Sequence, residues 1–302
     1  MEQFQDYEDG LGNPKSDKYH ESFAKFEAAG SDEKVATAVT TILDKHAREN
    51  FTPEVLKKIH GCIDLTTLTS IDTKESVWKM VESVNDYEGT RPDVPNVAAI
   101  CVYPIFVETV KQALRADKVH IASVCGGFPA SQTFTEIKVA ETAMAVMEGA
   151  DEIDTVINLG YFLEENYEEL CDELEEIKSS CREGKMKVII ESGALVSAEN
   201  IRKASILAAY SGADFIKTST GKGYPGATPE AAYTICKVIK KYHELTGNKI
   251  GIKVAGGIRT AEDAVNYYTI VKEILGEEWL NSDLFRIGAS SLVQDIEKRL
   301  GK

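Results

Sequence analysis

Apolar positions along the chain follow two alternating patterns. Short apolar, β-branched runs lie at 62–68, 96–104, 120–128, 152–158, 187–193, 215–220, 251–257 and 284–290. Runs of that length match buried strands rather than helices. Each is followed by a stretch with helical character. In 134–148, for example, Ile137, Ala140, Met144 and Met147 recur at spacings of three and four, the period of an α-helix. Thr228 before Pro229 predicts a helix start, with the hydroxyl as N-cap and proline in the first turn. Gly149, Gly184 and Gly212 are read as helix stops.

Eight βα units repeating at roughly thirty residues, the size of a βαβ unit, predict parallel strands. Eight such strands close most naturally into a (β/α)8 TIM barrel of the α/β class. An open doubly wound sheet would want a glycine-rich turn after its first strand, whereas the first strand here runs into LTTLTSIDTK. Residues 1–60 are read as an N-terminal extension: a disordered acidic tail, then helices at 32–49 and 53–60 that cover the barrel's bottom. Residues 61–302 form the catalytic barrel in this reading.

Composition narrows the function. The 302-residue chain, 43% hydrophobic, can bury a large core, and its net charge of −15 argues against nucleic acid or an anionic membrane as partner. No apolar run reaches membrane-spanning length, and Met1 to Pro14 is acidic and polar rather than a secretory signal. The six cysteines are scattered without a CxxC pair, which suits reduced thiols and a cytoplasmic location. The five histidines form neither HxH nor HExxH, so no imidazole metal site is expected.

In such a barrel the chemistry sits at the C-terminal ends of the strands. Polar residues there are Asp64, Thr66 and Thr67, then Cys101, Asp154, Asn158, Glu191, Lys217 and Lys253, and finally Ser290 and Ser291. Lysine is seldom buried without a partner, so Lys217 in FIKTSTGK and Lys253 in IGIKVAGGIR suggest amine chemistry, with Lys217 as the nucleophile. A neutral amine attacks a carbonyl, and burial plus a second ammonium favour that neutral form. Two like charges at ~4 Å and an effective dielectric of ~20 repel by about 4 kcal/mol. Lys253 on the next strand supplies that charge, and Asp154 could shuttle protons. Gly256, Gly257, Ser290 and Ser291 follow strands seven and eight, where many barrels hold phosphate on bare backbone N–H groups. Lys222, in the loop from Gly221 to Gly226, could close over the same anion. Cys101 fits a small core residue but could line the pocket, and Glu191 is left open between a second carboxylate and a polar layer.

Taken together, IDLTTL (63–68), AAICVYP (98–104), ASVCGGFPASQT (122–133), GADEIDTVIN (149–158), GADFIKTSTGK (212–222), KVAGGIR (253–259) and FRIGASSL (285–292) resemble the deoxyribose-phosphate aldolases. The resemblance runs from about Gly61 to Leu292, a span that includes every predicted strand. It implies a lyase of deoxyribonucleotide catabolism, a Schiff-base aldolase needing no metal or other cofactor, that reversibly cleaves 2-deoxy-D-ribose 5-phosphate to acetaldehyde and D-glyceraldehyde 3-phosphate. By the same resemblance Lys217 forms the imine, Lys253 perturbs it and Asp154 relays protons. Asp64 and Thr66 contact substrate hydroxyls, while Gly256, Gly257, Ser290 and Ser291 receive the phosphate with Gly221 and Lys222 nearby. Many bacterial members end in a tyrosine proposed to reach over the site, whereas this chain ends Lys298-Arg299-Leu300-Gly301-Lys302. The extension is longer than in the smaller members, and a homodimer contact is one role open to it. Two other readings remain: a phosphate-binding barrel isomerase or lyase working without an imine, and a barrel that only binds a phosphorylated metabolite.

Overall fold

The computed structural model describes residues 14–88 and 90–301, so the acidic tail expected at the N-terminus falls outside the described residues up to Asn13. Three helices precede the barrel: α1 (Pro14–Ala24), α2 (Asp32–Asn50) and α3 (Pro53–His60). Eight strands then close into one parallel barrel in sequence order. They are β1 (Ile63–Thr66), β2 (Ala99–Val102), β3 (His120–Cys125), β4 (Glu152–Val156), β5 (Lys185–Ile189), β6 (Phe215–Lys217), β7 (Gly251–Ala255) and β8 (Phe285–Ala289), the last pairing back onto β1. The fold is the expected (β/α)8 barrel. Each predicted run contains its strand except the fifth, which begins at Lys185.

The covering helices are α4 (Lys74–Tyr87), α5 (Val107–Ala113), α6 (Thr135–Glu148), α7 (Leu159–Leu163), α8 (Tyr167–Ser180), α9 (Ser192–Leu195), α10 (Ala198–Tyr210), α11 (Pro229–Thr246), α12 (Ala261–Leu275) and α13 (Leu292–Arg299). Their starts obey the capping chemistry. Thr228 Oγ1 accepts from Ala231 N at 3.1 Å in front of Pro229, as its sequence predicts. Gly149 ends α6, but Gly184 is not a stop: α8 ends earlier, at the Cys181 cap, and Gly184 lies in the turn toward β5. The spacing that marks α6 as helical also faces the other way from a core stripe. Ile137, Met144 and Met147 are 56%, 66% and 70% exposed. The buried side of α6 carries Lys138, whose ammonium donates to Glu173 at 2.7 Å and Ser131 at 2.8 Å.

The extension departs from the expected cap over the barrel's bottom. Only α3 lies there, running straight into β1 with His60 Nδ1 2.7 Å from the Pro95 carbonyl ahead of β2. α2 instead lies along the flank, from the mouth, where Ala198 N donates to Asp32 at 2.9 Å, to the far end of α12, where Asn50 Nδ2 meets Thr269 Oγ1 at 3.1 Å. α1 has a polar sequence with no clear apolar period, and aromatic docking holds it. Tyr19 and Phe23 meet Tyr167 edge-on at centroid distances of 5.8 and 5.4 Å, and Arg202 donates to the Phe23 carbonyl at 3.0 Å.

Two apolar clusters result. The large one fills the space between strands and helices. The small one, Leu68, Ala99, Cys101, Ala122 and Val124 with Tyr103 and Phe128 against it, lines one side of the lumen. The lumen's floor depends on a glycine: a Cβ at Gly251 would sit 2.4 Å from ring carbons of Phe215 and 2.9 Å from the Leu284 carbonyl. Over that ring lies the Arg286 guanidinium, 5.7 Å from its centroid.

Candidate active site

Inward-facing positions recur every second residue on a strand, and on β4 to β8 and β1 those positions are charged. Glu152 and Asp154 point in from β4, Lys187 from β5, Lys217 from β6, Lys253 from β7, Arg286 from β8 and Asp64 from β1; all are buried. They form one connected network. Asp154 Oδ2 accepts from Lys217 and from Lys253, both at 2.7 Å, while its Oδ1 accepts from Lys187 at 3.0 Å. Asp64 accepts from Lys253 at 2.5 Å and from Arg286 at 2.6 Å. Glu152 takes Lys187 at 2.5 Å and Arg286 through both guanidinium nitrogens at 2.8 and 3.1 Å. Arg286 Nε also donates to the Ser282 carbonyl.

The shared burial acts differently on each member. It pushes the Lys217 amine down; Asp154 pulls it back up, Lys253 pushes it down again, and the outcome is below the usual lysine range. Burial also pushes Lys253 and Lys187 down, but the carboxylates beside them outweigh it and hold both above that range. Asp154 is driven up by burial and further down by Lys187, Lys217 and Lys253, so it stays ionised well below the usual carboxylate range. Lys217 is thus the member of the network poised to lose its proton. Its backbone is fixed as well, because Ile190 N donates to the Lys217 carbonyl and Thr218 N to that of Lys253, each at 3.0 Å.

The remaining expected residues are placed around this network. Thr66 stands at the end of β1 and donates to the Asp64 carbonyl at 2.8 Å. Asp64, the residue expected to contact a substrate hydroxyl, is fully buried, and its two oxygens accept from Lys253 and Arg286. Cys101, level with Thr66, belongs to the small apolar cluster, and burial raises its thiol. Glu191 clamps the loop after the candidate nucleophile, accepting from Thr220 N at 3.2 Å and Thr220 Oγ1 at 2.5 Å. At the mouth the β6 and β7 loops lie backbone to backbone. A Cβ on Gly226 would meet the Gly256 carbonyl oxygen at 2.2 Å, and one on Gly256 would lie 3.4 Å from the Gly221 Cα. Gly257 is exposed beside them, Lys222 is half-buried, and Ser290 and Ser291 are exposed at the start of α13 on the neighbouring strand. Among the described residues no cluster of His, Cys, Asp and Glu is placed to hold a metal ion, and no helix is long and apolar enough to cross a membrane.

The profile of the DeoC/LacD family aldolases matches residues 60–292. The chain belongs to the DeoC/LacD aldolase family. Deoxyribose-phosphate aldolase of Mus musculus is 42% identical over 253 residues, covering 79% of this chain and 78% of its own; that of Homo sapiens is 41% identical over 248 residues with the same coverage. The tetrameric deoxyribose phosphate aldolase of Aeropyrum pernix superposes with a TM-score of 0.63 at 26% identity, covering 90% of this chain and 99% of its own. As an aldolase, and so a lyase, the protein makes or breaks a carbon–carbon bond. Within that frame the sequence located Lys217, Lys253 and Asp154 but passed over Glu152, Lys187 and Arg286. A signal was present: Glu152 and Asp154 alternate on one strand, and Lys187 pairs with Asp154 in register.

Proposed function

We propose that the protein is a Schiff-base aldolase that reversibly cleaves 2-deoxy-D-ribose 5-phosphate to acetaldehyde and D-glyceraldehyde 3-phosphate. The observation that carries this reading is a buried amine, Lys217, with a lowered proton affinity, hydrogen-bonded at 2.7 Å to the carboxylate it shares with Lys253. Lys217 Nζ attacks C1 of the open-chain sugar. Loss of water from the carbinolamine leaves an iminium, which draws the electron pair of the C2–C3 bond as the C3 hydroxyl loses its proton. The triose phosphate departs, the enamine takes a proton at C2, and water releases acetaldehyde. Asp154 is the proposed relay, since its Oδ2 touches both lysines, and Lys253 is the charge that keeps Lys217 deprotonated.

The phosphate is assigned to Gly256, Gly257, Ser290 and Ser291, with Gly221 and Lys222 closing the loop side, and Thr66 to a substrate hydroxyl. Asp64 is assigned behind Lys253, and Cys101 to the wall against the two-carbon fragment. Residues 61–302 form the proposed catalytic domain, with 1–60 as appended helices. A cytoplasmic homodimer in deoxyribonucleotide catabolism completes the proposal, supported by the exposed apolar stripe on α6 and testable by sedimentation. The test of function is turnover: the purified chain should release acetaldehyde from 2-deoxy-D-ribose 5-phosphate with no metal or cofactor added. Absence of release, or release that a chelator abolishes, would overturn the reading.

A further inference from the structure

Beneath Lys217 lie groups that the proposed reaction does not use. Lys187, Glu152 and Arg286 sit deeper in the lumen and contact neither Lys217 nor the mouth, yet they are among the most completely buried side chains of the described residues. Their contacts run into Asp154 and Asp64. The cations Lys187, Lys253 and Arg286 face the carboxylates Asp64, Glu152 and Asp154, three against three, and Lys217 when protonated is a fourth cation. The network is therefore neutral only when Lys217 carries no charge.

We propose that Lys187, Glu152 and Arg286 are positioning residues that set the charge state of Lys217, acting through Asp154 and Asp64 as a charge-balanced base under the reactive amine. The inference rests on the reading of Lys217 as the imine-forming residue. In a dry interior an unbalanced charge is costly, so protonated Lys217, the fourth cation, is the one disfavoured. The other strands add little that could offset it. β2 presents Ala99 and Cys101; β3 presents Ala122 and Val124 above His120, which lies at its base 3.8 Å from Asp151. Glu191 at the end of β5 directs its carboxylate at Thr220, and burial raises its proton affinity more than Thr220 and Lys217 lower it. The directions of the proton affinities agree: burial lowers Lys217, whereas the carboxylates overcome the same burial at Lys187, Lys253 and Arg286.

A base of this kind responds to the sign of a deleted charge. In Glu152→Gln, which is nearly isosteric, a negative charge is lost and Lys217 should deprotonate at lower pH. In Lys187→Met a positive charge is lost and it should deprotonate at higher pH. Each shift is expected at about one pH unit or more, and the double variant, again balanced, should return toward wild type. The readout is the titration of Lys217 by NMR of protein carrying ¹³Cε-labelled lysine, its signal assigned by its loss in Lys217→Met; the acid limb of kcat/KM for sugar cleavage is read in parallel. Opposite shifts that cancel in the double variant support the proposal. Shifts of one sign, or none, overturn it, as does a double variant that adds the shifts instead of cancelling them. If Lys187→Met does not fold, the downward shift in Glu152→Gln decides alone. Opposite NMR shifts in a protein without turnover would leave this inference standing and remove the proposed reaction instead.

Discussion

The barrel's lumen has two unlike walls. Above His120 at the base of β3, the inward positions of β2 and β3 are Ala99, Cys101, Ala122 and Val124, an apolar surface. On β4 to β8 and β1 the same layers hold Glu152, Asp154, Lys187, Lys217, Lys253, Arg286 and Asp64, all buried. The apolar wall offers the charged one no counter-ion, so across it the charges interact through a medium less screening than solvent. Small side chains on β2 and β3 also complement long ones reaching across from the opposite strands, as the filling of a barrel interior requires. A lysine on an exposed strand would keep its ordinary proton affinity; that of Lys217 is lowered by burial and by Lys253.

The largest expected effect comes from breaking the charged wall at its centre. Asp154→Asn keeps the shape and a hydrogen-bonding oxygen but removes the relay, so kcat should fall by roughly 10²- to 10⁴-fold. Exchange of acetaldehyde methyl protons into deuterated water should fall with it, and exchange at the wild-type rate would make Asp154 a structural partner only. Breaking the apolar wall comes next. Val124→Asp places a second carboxylate beside Asp154, its register partner on β4, and should cost about 3–5 kcal/mol in urea unfolding, with Val124→Asn as the uncharged control. Equal costs for the two would show that the charge is not felt there.

A subtler change sharpens the division of labour within the charged wall. In Lys253→Leu the ammonium that repels Lys217 is gone, and Asp154 is freed to stabilise Lys217 as a cation. Both effects raise the proton affinity of Lys217, so the acid limb of kcat/KM should move to higher pH by about one unit, with a reduced plateau; an unmoved limb would reject the coupling. Ser290→Glu, at the mouth and outside both walls, should have the smallest effect. It should raise KM for the phosphorylated sugar roughly tenfold by like-charge repulsion and leave that for unphosphorylated deoxyribose nearly unchanged. Equal changes for both sugars would make the β8 turn merely structural.

The two walls were not equally legible in the sequence. Eight strands and the order of Asp154, Lys217 and Lys253 followed from short apolar runs with polar residues near their ends, because barrel chemistry collects there. Lys187 opens its run, where a charge looks like a solvated stem, and Arg286 holds the same third place as Asp154, Lys217 and Lys253, so neither stands out until the opposite strand's carboxylate is known. The partners of Asp64 were hidden in the same way: only closure of β8 onto β1 brings Arg286 to its second oxygen. The α6 stripe misleads in the opposite sense, since its period is right and its face is outward; Lys138 occupies the buried side because Glu173 neutralises it there.

The most direct test of the central claim is covalent capture. Incubation with acetaldehyde followed by borohydride reduction should add a two-carbon unit to the peptide bearing Lys217, located by mass spectrometry, and to no other lysine of the network. An adduct on Lys253 or Lys187 with Lys217 unmodified, or no adduct in a protein that still turns over, would contradict it.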